Sequence, residues 1–311
     1  MRVLMLFLDG VGLGKPDRFL NPFFAAQLPA LRSLLEGRLP SLDQRELGGA
    51  RATLIPLDAN LGVAGLPQSG TGQTSLFTGV NASKVVGRHF GPHPYSTLRP
   101  IIREKNIFSQ LLGRGRRAGF ANAFPQRFFD YVERRPTRLT VTTLSSLMAE
   151  IPLRNDRDLR EARGVSADIT GAGWKELGYD DIPEIVPAEA GRRLVRLSSE
   201  ADFVLFEYWK SDYAGHSGRF SEAVEVLERL DGMLAGIVEA MDTRSTLLFI
   251  TSDHGNVEDM STKTHTRNPV PAILYGRDHE MVAARLQSLH PEGADLTDVT
   301  PLLVESIAGP P

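Results

Sequence analysis

Residues 247–256 read Leu-Leu-Phe-Ile-Thr-Ser-Asp-His-Gly-Asn. The first five residues form a short apolar run, and Ser252, Asp253 and His254 follow it directly. A run of this length with polar residues at its end is typical of a strand buried in a parallel sheet. Because ligands of open parallel sheets gather at the carboxyl ends of the strands, this stretch predicts both a strand and a ligand-binding edge.

The same pattern recurs along the chain. Further predicted strands are Val3–Leu8, Ala118–Phe124, Phe203–Trp209 and Ala272–Tyr275. Amphipathic stretches lie between them, and the clearest is Phe220–Met241, with Ser221 expected to cap its start. Other predicted helices are Ile107–Leu112, Arg192–Ser199, Met281–Leu289 and Val299–Ile307. The alternation predicts an α/β fold in which helices sandwich a mainly parallel sheet.

The composition excludes several classes of protein. The 311 residues include 35 Lys and Arg, 38 Asp and Glu and no cysteine, which rules out disulfides, thiolate metal sites and a cysteine nucleophile. A net charge of −3 provides no basic field, so we expect neither nucleic acid nor a membrane as a partner. The run Val3–Leu8 is too short for an export signal, and we expect a cytoplasmic protein. The oligomeric state is not predicted.

Residues 125–186 differ in pattern from the rest of the chain. They lack the alternation of strands and helices and are rich in arginine, so we expect a small inserted cap lobe on a core made of residues 1–124 and 187–311. The lobe arginines, among them Arg154 and Arg157, are candidates to bind a phosphate or carboxylate as a lid closes, as are Arg88 and Lys210 outside the lobe. Because acids accompany these arginines, a solvated surface is the alternative interpretation.

Acidic and imidazole side chains follow several of the predicted strands. Asp9 follows the first strand, Asp212 and His216 follow Phe203–Trp209, and His265 comes soon after Asp253 and His254. Taken singly, each has an ordinary explanation as a turn residue, a surface ion pair or a histidine bonded to a carbonyl group. Their joint occurrence at strand ends indicates a metal site, because buried unpaired carboxylates are costly.

A glycine-rich stretch, residues 65–79, supplies a candidate nucleophile. Ser69 lies where a turn leads into a predicted helix, and the start of a helix directs amide hydrogens toward an anion. Ser69 is either a helix cap or a nucleophile, and a serine hydroxyl needs activation, for which direct coordination to a cation suffices. Thr71 is the second candidate nucleophile.

These motifs together resemble the alkaline phosphatase superfamily, and most closely its branch of cofactor-independent phosphoglycerate mutases and phosphopentomutases. The motifs occur in the family's order: Asp9-Gly, Ser69-x-x-Gly-Gln, Asp212-x-x-Gly-His216, Asp253-His254-Gly-Asn and His265-Thr-x-Asn-Pro-Val-Pro. The resemblance implies an alkaline-phosphatase-like core and two divalent ions, Mn²⁺ or Zn²⁺. It places Asp9, Ser69, Asp253 and His254 around one ion, and Asp212, His216 and His265 around the other.

The chain also departs from that branch. Gln73 stands where the mutases have a histidine, and residues 125–186 form a much smaller insertion than theirs. We therefore expect a two-metal enzyme that forms a phosphoserine and hydrolyses small phosphorylated metabolites. An intramolecular phosphomutase is the alternative, and a non-catalytic metal-binding module is a minor one. His89 and His93 are interpreted as loop residues.

Overall fold

The computed structural model of the chain describes residues 1–135 and 138–310. Its strands are β1 (Arg2–Leu8), β2 (Leu47–Gly48), β3 (Ala52–Leu57), β4 (Ala118–Phe120), β5 (Asn122–Ala123), β6 (Val165–Ser166), β7 (Phe203–Tyr208), β8 (Thr246–Thr251) and β9 (Val270–Gly276). Seven of these form one sheet in the order β2-β3-β9-β8-β1-β7-β4, and β5 pairs with β6 separately.

Helices surround the sheet. They are α1 (Pro29–Leu34), α2 (Ser69–Thr78), α3 (Ala82–Val86), α4 (Arg99–Lys105), α5 (Ile107–Leu112), α6 (Gln126–Arg134), α7 (Val141–Met148), α8 (Asp156–Arg160), α9 (Pro187–Glu200), α10 (Lys210–Ser217), α11 (Phe220–Ala240), α12 (His279–Ser288) and α13 (Val299–Ala308). Short 3-10 helices cover Pro22–Phe24, Ser96–Leu98, Ala172–Leu177 and Leu296–Asp298. Spanning a bilayer takes about twenty mostly apolar helical residues, and residues 1–135 and 138–310 contain no such helix.

The direction of the strands decides where the loops meet. Strands β8, β1, β7 and β4 are mutually parallel, β9 runs antiparallel to β8, and β3 runs antiparallel to β9. Strand β3 therefore points the same way as the parallel group, and the predicted, mainly parallel sheet is confirmed. The carboxyl ends of β1, β3, β7 and β8 and the amino end of β9 all lie at one edge of the sheet.

Each face of the sheet carries its own hydrophobic core. Alternate residues of β1 point in opposite directions, as a strand requires. Val3, Met5 and Phe7 pack with residues from α2, α4, α5, α7, α12 and α13, whereas Leu4 and Leu6 pack with residues from α1, α9 and α11. These β1 side chains are at most 1% exposed, so helices cover both faces as predicted.

Three local predictions differ from the structure. The predicted strand Ala118–Phe124 changes partner at Ala121, whose amide bonds to Leu205 while its carbonyl accepts from Val165. Strand β3 was not predicted, because Pro56 interrupts its apolar run. Helix α11 spans the predicted range to within one residue, but its N-cap is Arg219 and Ser221 makes no capping bond.

The segment predicted to form a cap lobe divides in two, and residues 136 and 137 of it lie outside the described ranges. Helix α7 belongs to the main core, where Val141 and Leu144 are buried against it. A small separate cluster contains Leu159, Trp174 and Ile182. The lobe boundaries at residues 125 and 186 stay a prediction. The second cluster lies in the later part of the segment, which we call its outer part.

Candidate functional site

The first group of predicted ligands forms where β1 and β8 end. Asp9 follows β1, and Asp253 and His254 follow the neighbouring β8. The Nε2 atom of His254 lies 3.4 Å from Asp9 Oδ1 and 3.4 Å from Asp253 Oδ2. Asp253 and His254 are fully buried, and Asp9 is 7% exposed. The structure therefore brings together three predicted ligands whose ligand atoms all lie within 4.8 Å of one another.

Ser69 joins this group from β3. The chain leaves β3 at this same edge of the sheet, and a loop leads from there into α2, whose first residue is Ser69. Ser69 Oγ lies 3.0 Å from His254 Nε2. The N-cap of α2 is Gln68, so Ser69 is not the cap of this helix. A buried hydroxyl thus faces the two carboxylates and the imidazole from the positive end of a helix.

Asp212, His216 and His265 form a second group. Asp212 and His216 lie one turn apart on α10, which follows β7, and His265 lies in the loop that enters β9. Asp212 is 3.4 Å from His216 and 3.6 Å from His265, measured between carboxylate oxygens and Nε2 atoms. The two Nε2 atoms are 3.0 Å apart. Three potential ligand atoms therefore converge on a second point.

The two groups are adjacent. The rings of His254 and His265 stack with their centroids 3.8 Å apart and their planes inclined by 19°. One histidine belongs to each group, so this contact joins the two halves of the site. The first group is the more deeply buried, since the side chain of His216 in the second is 45% exposed.

The Nδ1 atom of each histidine faces a backbone carbonyl. His265 Nδ1 is 2.7 Å from the carbonyl oxygen of Pro67, and His216 Nδ1 is 2.8 Å from that of Lys263. His254 makes the corresponding, longer contact of 3.4 Å with Gly255. Because a carbonyl only accepts hydrogen bonds, these contacts assign a proton to Nδ1 of each ring. In the neutral form of each imidazole the lone pair is then on Nε2, the atom that points into the site.

Burial raises the pKa values of the two carboxylates in the first group, and a bound cation would lower them again. Burial and the neighbouring carboxylates raise the pKa of Asp9 well above its usual range, and burial followed by the charge of Asp212 raises that of Asp253 to about 7. Burial and His254 lower the pKa of His265 to about 4. Although burial acts in the opposite direction, the bond from His216 leaves the pKa of Asp212 below its usual range. The first group therefore lacks positive charge, whereas in the second group the bond to Asp212 raises the pKa of His216.

Two oxygens of the first group lack any hydrogen-bond donor. Asp9 Oδ1 and Asp253 Oδ2 are buried and have no partner among the described residues. Buried carboxylate oxygens normally have a donor or a metal ion. Together with three available Nε2 lone pairs and the Ser69 hydroxyl, they form a donor set that fits two divalent cations.

Glu258 holds the ligand-bearing loops together, and it was not predicted. One of its carboxylate oxygens, Oε2, accepts from the amides of Gly12 and Asn256 at 2.9 and 2.7 Å. The other, Oε1, accepts from the Thr266 hydroxyl and from Asn268 Nδ2. The carboxylate therefore ties together the loops after β1, after β8 and before β9, which between them carry four of the predicted ligands.

Amide side chains orient the carboxylate ligands. Gln73 Nε2 donates to Asp9 Oδ2 at 3.2 Å, so the residue that departs from the family pattern contacts a ligand directly. Asn256 Nδ2 donates to Asp212 Oδ1 at 2.6 Å. Both residues stand inside motifs visible in the sequence, but their partners lie tens of residues away and only the fold identifies them.

Glu207 adds another buried acid beside the site. Its Oε2 atom accepts from the Thr142 hydroxyl at 2.6 Å, and its Oε1 atom is buried with no partner among the described residues. Burial raises the pKa of Glu207 to about 7, and the charge of Asp253 acts in the same direction. The signal that identifies Glu207 was present in the sequence, since it is the only charged residue within the apolar run 203–209.

Of the remaining predicted residues, two lie near the site and two have partners elsewhere. Lys210 and Arg88 lie next to the site region: Lys210 begins α10, and Arg88 borders a surface depression together with Gln68. Arg154 Nε instead donates to the Phe120 carbonyl, and Arg157 pairs with Glu161 on the protein surface. The structure thus gives Arg154 and Arg157 other partners.

Thr71, the second candidate nucleophile, has its hydroxyl engaged elsewhere. It donates to the Gln68 carbonyl at 3.3 Å and accepts from the amide of Phe90 at 3.1 Å. These bonds anchor the start of α2 to the loop that contains Phe90. Of the two candidate nucleophiles, Ser69 is therefore the one whose hydroxyl contacts a predicted ligand atom.

Comparison with known proteins agrees with this geometry. Residues 179–310 match the family described as the Metalloenzyme superfamily. A 2,3-bisphosphoglycerate-independent phosphoglycerate mutase of Pseudomonas putida is 34% identical over 136 residues, which cover 41% of this chain and 25% of the relative. The enzyme of the same name from Malacoplasma penetrans is 33% identical over 194 residues, which cover 60% of this chain and 35% of the relative. The chain thus spans about a quarter to a third of the length of these relatives.

Two solved structures share the fold along its whole length. The PH0037 protein from Pyrococcus horikoshii matches with a TM-score of 0.56 at 15% identity, covering 100% of this chain and 97% of that one. The alkaline phosphatase from the Antarctic bacterium TAB5 matches with a TM-score of 0.52 at 12% identity, covering 99% and 97%. The predicted resemblance to phosphoglycerate mutases is therefore confirmed in sequence, and the predicted alkaline-phosphatase-like fold is confirmed by the structural match.

Proposed function

We propose that this chain is a two-metal-dependent phosphoryl-transfer enzyme that hydrolyses phosphate monoesters of small metabolites through a phosphoserine at Ser69. The observation that carries the proposal is the position of Ser69 Oγ, 3.0 Å from His254 Nε2 at the first residue of α2. The hydroxyl faces two buried carboxylates whose unpaired oxygens fit a cation. Divalent ions at the two groups would lower the pKa of a serine hydroxyl and neutralise charge on a leaving oxygen.

The chain's own residues account for the remaining parts of the reaction. The amides of the first two residues of α2, Ser69 and Gly70, would face the phosphoryl group, whereas the amide of Thr71 is bonded to the Phe90 carbonyl. Ser69 Oγ forms a bond with phosphorus while the ester oxygen leaves and takes up a proton. Water then hydrolyses the phosphoserine, which restores the serine hydroxyl and releases inorganic phosphate. Asp9, Ser69, Asp253 and His254 would hold one ion and Asp212, His216 and His265 the other, with Mn²⁺ and Zn²⁺ both suited to these mixed ligands.

An intramolecular phosphomutase is the second candidate, because the curated relatives bear that name. In a mutase, a hydroxyl of the retained intermediate replaces water as the acceptor of the phosphoryl group, which requires a closed site. Residues 125–186 are the proposed cap lobe that would close it.

The test uses the full chain loaded with Mn²⁺ or Zn²⁺. We expect release of phosphate from p-nitrophenyl phosphate and a phosphoserine at residue 69 after acid quenching, detected by mass spectrometry. Ser69→Ala should lower kcat at least 10³-fold, whereas Ser288→Ala, on the exposed end of α12, should leave it unchanged. Conversion of 3-phosphoglycerate to its 2-phospho isomer without release of phosphate would favour the mutase. Inertness toward every phosphate ester would contradict both and favour a metal-binding module.

A further inference from the structure

An open cavity of about 810 Å³ lies between the outer part of segment 125–186 and the sheet. We call it the aromatic cavity, since five aromatic side chains line it: Phe124, Phe128, Tyr131, Trp174 and Trp209. Its size is within the range of small-molecule sites, which is about 300–1,000 Å³. A three-carbon phosphate ester would leave much of this volume unfilled.

The aromatic cavity borders the candidate active site at two places. His93 lines it, and the His93 carbonyl packs so closely against α2 that a Cβ atom on Gly70, the neighbour of Ser69, would lie 2.4 Å from its oxygen. Glu207 also lines it, and the charge of this residue acts on Asp9 in the first ligand group. A ligand in the cavity would therefore lie next to a phosphoryl group held at Ser69.

Three cationic side chains face the aromatic cavity without an acidic partner. They are Arg127, Arg138 and Lys210, and none makes an ion pair with another described residue. Two other arginines of the same segment do form ion pairs: Arg160 pairs with Asp156 and Asp181, and Arg163 pairs with Asp158 and Glu161. The three cations on the cavity side are thus not held by an acid in the described part of the chain and could bind an anionic group of a ligand.

The acids on the cavity wall, Asp168, Glu176 and Glu207, make no ion pair with these three side chains among the described residues. Asp168 is engaged by the amides of Gly171 and Gly173, each at 2.8 Å, and Glu207 is bonded to Thr142. Glu176 remains as an exposed acid on the rim. Cationic groups without partners beside a ligand cavity favour an anionic ligand.

The aromatic rings provide flat surfaces for that ligand. Phe124 and Phe128 stack with their centroids 4.3 Å apart, and the Lys210 ammonium lies 4.5 Å from the centre of the Trp209 ring. The Trp209 side chain remains 39% exposed although it is large and apolar. Exposed rings next to cations are suited to stack on a planar, negatively charged molecule.

We propose that the aromatic cavity receives the leaving group of the phosphate ester and selects one that combines an aromatic ring with a second anionic group. The inference rests on the proposed function and narrows its substrate class. Trp209 would stack on the ring, while Arg127, Arg138 and Lys210 would bind the second anion. This arrangement would bind such esters more tightly than 3-phosphoglycerate, which has the second anionic group but no aromatic ring.

Binding of unreactive phosphonates tests the inference without depending on leaving-group reactivity. The probes are (4-carboxybenzyl)phosphonate, benzylphosphonate, which lacks the carboxylate, and 2-carboxyethylphosphonate, which lacks the ring. Calorimetry with the metal-loaded full chain should show the first binding at least tenfold more tightly than either of the others. Cleavage of 4-carboxyphenyl phosphate should show the lowest KM among the corresponding esters.

Single-residue variants test separately the preference for the second anionic group and the preference for the aromatic ring. Arg138→Ala should weaken binding of the carboxybenzyl compound by about fivefold to tenfold and leave benzylphosphonate unchanged. Trp209→Ala should weaken the binding of both aromatic compounds and leave the affinity for 2-carboxyethylphosphonate unchanged. Arg134→Ala, on the same helix as Arg127 but outside the cavity wall, is the matched control and should change nothing.

The outcomes distinguish this inference from the function on which it rests. Equal affinity for all three phosphonates, with phosphate esters still cleaved, would overturn the inference and leave the phosphoryl-transfer function standing. A preference that persists in both Arg138→Ala and Trp209→Ala would also overturn it. If no phosphonate binds and no ester is cleaved, the proposed function fails, and the inference fails with it.

Discussion

The Glu258 carboxylate offers a quantitative test of how the site is held together. It is 1% exposed and accepts four hydrogen bonds, from Gly12, Asn256, Thr266 and Asn268. A hydrogen bond to a charged group contributes about 1.5–3 kcal/mol, but bonds that share an acceptor are not additive. We expect Glu258→Ala to lower the free energy of unfolding by about 3–5 kcal/mol, because four donors lose their acceptor in a buried place.

Glu258→Gln should cost less, for a geometric reason. The two backbone amides at Oε2 cannot turn, so the glutamine must place its oxygen there. Its amide nitrogen then replaces Oε1, where the Thr266 hydroxyl can rotate to accept but Asn268 Nδ2 cannot. One bond is lost and one is reversed, and the expected loss is about 1.5–3 kcal/mol.

Urea unfolding in EDTA measures this ranking. Glu104→Gln, at an exposed position on α4, serves as the control and should lie within about 0.5 kcal/mol of the parent. Metal affinity, measured by competition with a chelator, should fall about 10–100-fold in both Glu258 variants, as for residues that orient metal ligands. Equal costs for the alanine and glutamine variants, or an alanine cost below about 1 kcal/mol, would refute the reasoning.

Two further predictions concern charge and space in the first ligand group. Because burial raises the pKa of Asp9 and takes those of Asp253 and Glu207 to about 7, the folded metal-free protein holds protons that the unfolded chain has released. Its free energy of unfolding should therefore fall as the pH rises through 7, by roughly 0.5–1 kcal/mol between pH 6.5 and 7.5 for each of Asp253 and Glu207, and Glu207→Gln should flatten the slope in urea titrations; a rise with pH would contradict the assignment. Gly72→Ala ordinarily favours a helix by about 0.5–1 kcal/mol, but its Cβ would lie 2.8 Å from the Asp253 carbonyl oxygen, so we expect weaker metal binding by chelator competition, with unchanged affinity as the contrary result.

The ligand set could be predicted from the sequence because each residue carries a local mark. Asp9, Asp212 and Asp253 follow apolar runs, and parallel strands necessarily bring their carboxyl ends to one edge. The other predicted helices and strands are found in the structure because a short apolar run and a long amphipathic stretch differ in length and period, whereas the predicted strand Ala118–Phe124 divides between β4 and β5. Strand β3 was missed because Pro56 normally argues against a strand, yet here it lies opposite another proline, Pro271.

The supporting residues could not be predicted, because their roles depend on partners distant in the chain. Glu258 is an acid in a loop until the fold brings Gly12 to it from 246 residues away. The arginines of segment 125–186 show that residues alike in the sequence can have different surroundings in the structure. Arg127 and Arg157 are alike in the sequence, and only the structure shows that one lines a cavity without an ionic partner while the other is paired with Glu161.

Helix α10 connects the selection of substrate with the chemistry under the proposed function. Its first residue, Lys210, lies on the wall of the aromatic cavity, and Asp212 and His216 belong to the second, more exposed ligand group. The first group, with Ser69, is buried on the other side of the His254–His265 stack. Under the proposed function, an ion held by the second group would neutralise the ester oxygen as it leaves while phosphorus faces the serine. Attack and departure would then occur on opposite sides of phosphorus, as in-line displacement requires.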